Sequence, residues 1–142
     1  MTEKTAQKKS LVKKLGIRPG FVLAIKSAPA GYEKMLGRLP VGFIRQDGRG
    51  RSLDFIQYFV HTAKELQEQL PHLKDKLKRE GALWISWPKK RAQMGTDLSE
   101  SRVRALGLAH GLRKIKVAGI GAHWNALKFV IRQSAKSKKA QR

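Results

Sequence analysis

The chain has 142 residues, and its 31 Lys plus Arg against 10 Asp plus Glu give a formal charge of +21 at neutral pH. That length suits one domain with a real hydrophobic core. The lack of cysteine excludes disulfides, thiolate metal sites and a cysteine nucleophile, and no apolar run approaches the roughly 18–20 residues that a membrane span needs.

Residues 1–14 are polar and basic, with Lys4, Lys8, Lys9, Lys13 and Lys14 set against Glu3. They read as a flexible arm that buries too little to offset the entropy of ordering. Leu11, Val12 and Leu15 can still pin it down as a short helical turn. No uninterrupted apolar stretch follows the lysines, so a secretory leader is not expected and a cytoplasmic protein is. The folded domain is expected over 15–133.

Phe21 to Ala28, a nearly continuous apolar run after Pro19-Gly20, predicts a buried strand. Pro29 stops it, and 31–36 predicts a short helix ended by Gly37. A short strand follows over 41–45, then the loop Asp47 to Arg51, then a strand over 53–60 rich in aromatic and β-branched residues. Thr62, with Glu65 three residues on, predicts a capping box that opens a helix to Leu70. Pro71 is expected to divide this helix from a second helical stretch ending at Leu77, with Gly81 as the stop. Residues 82–87 predict a fourth strand, ended by Pro88, and a polar loop runs from Lys89 to Thr96. Asp97 and Glu100 carry the spacing of a capping box for a helix reaching His110 and ended by Gly111. Strands over 114–118 and 127–131 follow, most simply as an antiparallel hairpin. Residues 134–142, with Lys136, Lys138 and Lys139, read as a second flexible basic tail.

The order β-α-β-β-α-β-α-β-β predicts an α/β fold. The expected form is a small three-layer Rossmann-like open sheet, mostly parallel, with a C-terminal antiparallel hairpin. By analogy it resembles a shortened methyltransferase fold, and a fold does not fix a function.

Several stretches carry a resemblance when read together: 15–20 (LGIRPG), 28–32 (APAGY), 36–40 (LGRLP), 83–90 (LWISWPKK), 96–100 (TDLSE) and 124–130 (WNALKFV). They resemble the bacterial family known as domain of unknown function 3052, over about residues 11–132, with the segment from Trp84 to Lys90 the most specific part. The resemblance implies a Rossmann-like fold and a bacterial cytoplasmic protein, and it supplies no activity, substrate or catalytic residue. The segment before Trp124 departs from the family, which usually carries acidic residues where this chain has Gly119-Ile-Gly-Ala-His123.

The charge makes a polyphosphate the natural counter-ion. The leading expectation is therefore a non-enzymatic module that binds RNA, DNA or a ribonucleoprotein through phosphates. Its folded face would use Lys89, Lys90, Arg91, Arg102, Arg113 and Lys114, with Trp87 as a plane for stacked bases. Arg49 and Arg51 would add an arginine–glycine loop, and Lys8, Lys9, Lys13, Lys14, Lys136, Lys138 and Lys139 would act from the arms.

An alternative of another class is a degenerate methyltransferase-like enzyme or a small-molecule or nucleotide sensor. Its crevice would be lined by Ala28, Pro29, Gly31, Tyr32, His61 and Trp87. The turn after the first strand has one glycine and no GxGxxG, and Arg45-Gln46 rather than an acid close the second strand, so no cofactor is expected. A third reading is an assembly protein tethered by its arms to an acidic partner. The four histidines show no ligand spacing, so no metal is expected, and no nucleophile elbow or phosphate-binding loop motif is present.

Overall fold

The computed structural model describes residues 11–36, 44–46, 52–90 and 95–132. In chain order its elements are α1 (Leu11–Leu15), β1 (Val22–Lys26), α2 (Tyr32–Leu36), β2 (Ile44–Gln46), β3 (Leu53–Phe59) and α3 (Ala63–Lys76). After these come β4 (Leu77–Pro88), α4 (Glu100–Ala109), β5 (Leu112–Ile120) and β6 (Trp124–Ile131).

The strands form one sheet in the order β2-β1-β3-β4-β6-β5. Strands β1 to β4 are parallel, and β6 runs antiparallel between β4 and β5. This is the expected open α/β sheet with its C-terminal hairpin. Successive strand residues point to opposite faces, so each face has its own core. On one face Leu83, Ile85 and Trp87 of β4 pack with Leu66, Leu70 and Leu73 of α3 and Val103 of α4. On the other, Trp84 packs with Val12 and Leu15 of α1 and Tyr32 and Leu36 of α2. Helices on both faces make the three layers. Trp84 Nε1 donates to Leu15 O at 3.0 Å, which ties α1 to the centre of the sheet.

Four local expectations are corrected. Pro71 does not divide a helix, because α3 is continuous through it. Pro71 and Gln67 are exposed, so the carbonyl that proline leaves unbonded can turn to water. Leu66, Leu70 and Leu73 meanwhile hold the buried face on both sides of it. Gly81 is not a helix stop but lies inside β4. A Cβ there would stand 2.8 Å from Leu53 O, so glycine permits a close backbone approach beside the register shift between Leu53 and Phe55.

Asp97 does not cap its own helix either. Ser99 does, accepting from Arg102 N at 3.2 Å, while Asp97 Oδ1 accepts from Ala63 N at the start of α3 at 2.8 Å. The last hairpin is longer than expected, pairing Leu112 with Ile131 through to Ile120 with Trp124. The Thr62 cap is as expected, accepting from Glu65 N at 3.1 Å.

Candidate functional site

From β1 the chain passes to β2 on one side, and β3 then adds on the other. The crevice outside the carboxyl ends of β1 and β3 is thus a topological switch point, where open α/β sheets hold ligands. The turn there is unusual backbone: Ser27 has φ 58 and Gly31 φ 85. A Cβ built on Gly31 would meet nothing within 4 Å. Beside the turn is a pocket of about 250 Å³ lined by Pro29, Ala30, Met35, Ala122, His123 and Trp124.

The floor beneath is an aromatic chain. The Tyr32 and Phe59 rings meet edge-on at 4.8 Å, Phe59 and Trp124 at 5.0 Å, and His61 and Trp124 at 5.6 Å. A buried polar chain crosses the same floor. Tyr32 Oη donates to Gln57 Oε1 at 2.5 Å, and Gln57 Nε2 donates to Ser86 Oγ at 3.3 Å. Tyr32 is therefore a link between α2, β3 and β4 rather than a wall of the crevice. The loops around the crevice are fastened to one another. Thr96 Oγ1 donates to His61 O at 2.6 Å, and Lys89 N donates to His123 O at 2.8 Å. On the opposite face of the same strand ends, Lys26 Nζ lies 5.9 Å from the Tyr58 ring centroid. Burial, then Lys76, lowers the Lys26 pKa, while burial, then Glu65 and Glu68, raises that of Tyr58.

Of the expected crevice residues, Ala28, Pro29 and Gly31 do stand at the turn, and His61 reaches Trp124 from the end of β3. Trp87 does not join them, being 2% exposed in the core under α3 and α4, where it offers no free plane for stacking. The expected basic face is not one face. Lys89 and Lys90 follow the carboxyl end of β4, and Lys89 Nζ lies 3.7 Å from where a Cβ of Gly119 would stand. Arg113 and Lys114 stand near the start of β5, and Arg113 is six residues before Gly119 and so roughly 20 Å away along the strand.

Two of these cations already face acids. Arg102 Nη1 lies 3.9 Å from Asp97 Oδ2, and Lys114 Nζ lies 3.4 Å from Glu100 Oε2. Lys14 Nζ donates to Gly119 O at 2.8 Å, and Lys13 is exposed on α1. Lys8, Lys9, Arg49, Arg51, Arg91, Lys136, Lys138 and Lys139 lie outside the described residues. Sequence reasoning missed His123, Met35 and Ala122 as crevice residues, because only the hairpin turn carries the last two strands' junction back to β1. Among the described residues no three His, Asp or Glu side chains gather as metal ligands, and no helix is long and apolar enough to cross a membrane.

No protein-family model and no curated protein matches the chain. Solved structures do. A SAM-dependent methyltransferase from Aquifex aeolicus superposes with a TM-score of 0.58 at 18% identity, over 92% of this chain and 97% of that one. Magnesium protoporphyrin IX methyltransferase from Synechocystis PCC 6803, with bound SAM, gives 0.56 at 14% identity, over 92% and 79%. A ribosomal protein L11 methylase from Lactobacillus delbrueckii subsp. bulgaricus gives 0.53 at 11%, over 86% and 75%. The fold is methyltransferase-like. This overturns the leading expectation of a non-enzymatic nucleic-acid module. Net charge, with Trp87 beside local clusters of Lys and Arg, suggested that reading, and charge speaks to non-specific association rather than to fold or site.

Proposed function

We propose that this chain binds an adenosyl ligand, S-adenosylmethionine first among them, in the crevice over the carboxyl ends of β1 and β3. One observation carries the reading: the turn after β1, with positive φ at Ser27 and Gly31 and open space where a Gly31 side chain would stand. Open main chain at a switch point is what a nucleoside ligand requires. The adjoining pocket of about 250 Å³ sits just below the ~300–1,000 Å³ of common ligand pockets. It suits one nucleoside moiety, with the remainder lying over exposed Ala28 and Ala30.

His123 and the edge of Trp124 offer flat surface to a base, and Pro29 and Met35 offer apolar contact. S-adenosylmethionine, when bound, supplies a methyl group activated by its sulfonium. The part of these residues is to bind and orient it. β2 ends at Gln46, one residue later than expected, so Asp47 is the next residue in sequence; it lies outside the described residues. The resemblance to domain of unknown function 3052 belongs to the same proposal and is compatible with a ligand-binding domain of this kind.

The test is thermal stabilisation by S-adenosylmethionine, S-adenosylhomocysteine, ATP and NAD, with calorimetry on whichever responds. Ala30→Trp and Ala122→Trp fill the pocket from exposed positions. A ligand at 100 times its Kd adds about 2.7 kcal/mol to the parent protein. Both variants are expected to keep their own Tm and lose that gain. No stabilisation at millimolar concentration, or an equal gain in both variants, overturns the reading.

A further inference from the structure

At the amino ends of the parallel strands, on the α1 and α2 face, lies a second pocket of about 310 Å³. Its lining includes Arg18, Phe21, Asp54, Glu80, Lys128 and Val130. Its charges are arranged against their own interest. Lys116 on β5 stands directly opposite Lys128 on β6, and like charges opposed across an antiparallel ladder repel. The pair adjoins the register shift between Lys114 and Lys116, and such bulges re-aim side chains beside sites. Lys128 is half-buried, and its Nζ lies 3.7 Å from where a Cβ of Gly16 would stand. Burial first, then Lys116 and Arg18, holds it below the ordinary lysine range.

Among the described residues none of these three cations has a carboxylate within ion-pair distance. Asp54 already has two partners. Its Oδ2 accepts from Val22 N at 2.8 Å and its Oδ1 from Lys78 Nζ at 2.9 Å.

We infer that this pocket is a binding site for a small phosphomonoester. The phosphate lies against Lys128, Lys116 and Arg18, three cations that more than neutralise a dianion, and the Arg18 guanidinium fork suits phosphate oxygens. The carbon skeleton rests on Phe21 and Val130, and Glu80 accepts from a hydroxyl of the organic part. The site is separate from the crevice at the carboxyl ends, and it stands whether or not an adenosyl ligand binds there.

The probes are glycerol 3-phosphate and inorganic phosphate, titrated into the full chain by calorimetry and thermal shift. Glycerol and potassium chloride at matched ionic strength are the controls. Glycerol 3-phosphate is expected to raise Tm beyond chloride and to bind more tightly than inorganic phosphate. Lys128→Met is expected to weaken binding about tenfold or more, the loss of one charge-assisted hydrogen bond. Its Tm without ligand should not fall below that of the parent. Lys64→Met, on exposed α3 surface, is the control for net charge and should leave the affinity unchanged. A chloride response equal to the phosphate response, an undiminished affinity in Lys128→Met, or an equal loss in Lys64→Met each overturns the site.

Discussion

The two faces of the sheet are covered very differently. One lies under α3 and α4, of 14 and 10 residues, and its core is wholly apolar. The other lies under α1 and α2, of five residues each. A five-residue helix is about 7.5 Å long, whereas β4, with 12 residues, extends about 40 Å. The short helices cannot cover both ends of that face, and the two candidate pockets are what they leave open. On the well-covered face a groove runs along Pro71, Lys74 and His110, where Lys74 Nζ is already engaged at His110 O at 2.9 Å. The lesson is a division of labour. The long helices bury the apolar area that holds the fold, and the short ones leave room for ligands.

The largest expected effect tests that division directly. Leu70→Ala beneath α3 should cost about 2–5 kcal/mol in urea unfolding, the range for a fully buried leucine. Leu36→Ala beneath α2 should fall at the lower end of that range, because a one-turn helix can settle into the space. Equal costs would break the comparison.

The buried polar chain on the thinly covered face gives the next effect. Tyr32→Phe leaves Gln57 Oε1 without its donor, at a cost of about 1–3 kcal/mol. Adding Gln57→Leu and Ser86→Ala should recover part of the loss, because no buried group then lacks a partner. A triple variant less stable than Tyr32→Phe alone would show that the chain contributes through shape and not through hydrogen bonding.

The smallest effect sharpens the charge argument through pH. Lys128 is depressed in the fold from its ordinary value of 10.5. Between the folded and unfolded values the unfolded chain binds more protons, so this contribution to stability rises with pH across that window. At neutral pH the charged lysine faces Lys116 from β5 and Arg18 from the segment after α1, with Glu80 and the engaged Asp54 on the pocket wall. Lys128→Met should therefore be the more stable protein at pH 7. Its advantage should narrow as pH approaches 10.5, as read from paired thermal melts. Lys26 and Tyr58 also titrate abnormally in this region, but both proteins share them and they cancel in the difference. A gap that does not change with pH would remove electrostatic strain at Lys128.

Much of the fold was legible because its signals are local. Element order followed from hydrophobic period, and the opposite faces taken by Trp84 and Trp87 followed from strand alternation. Thr62 with Glu65 marked the start of α3 by spacing alone. The site was legible at Ala28, Pro29 and Gly31, since the turn after a first strand is where such sheets bind ligands. Lys128 was detectable in principle, as the one charge in β6, on the same face as Trp124 and Ala126. The basic face misled because charge counts carry no positions. Lys89 and Arg113 were grouped by charge, yet they sit at opposite ends of the sheet.

Taken by itself, then, the sequence determined the alternation of strands and helices, the buried side of α3, and one helix cap, all of which depend on residues within a few positions of one another. The strand order, and with it the switch point between β1 and β3, was decided only in the tertiary structure, as were the close approach at Gly81, the service of Asp97 to α3 and the opposition of Lys116 to Lys128. Each of these depends on the register of segments distant along the chain. A one-residue slip in register exchanges the two faces of a strand, so the packing of the whole sheet, rather than any local preference, settles which side chains meet.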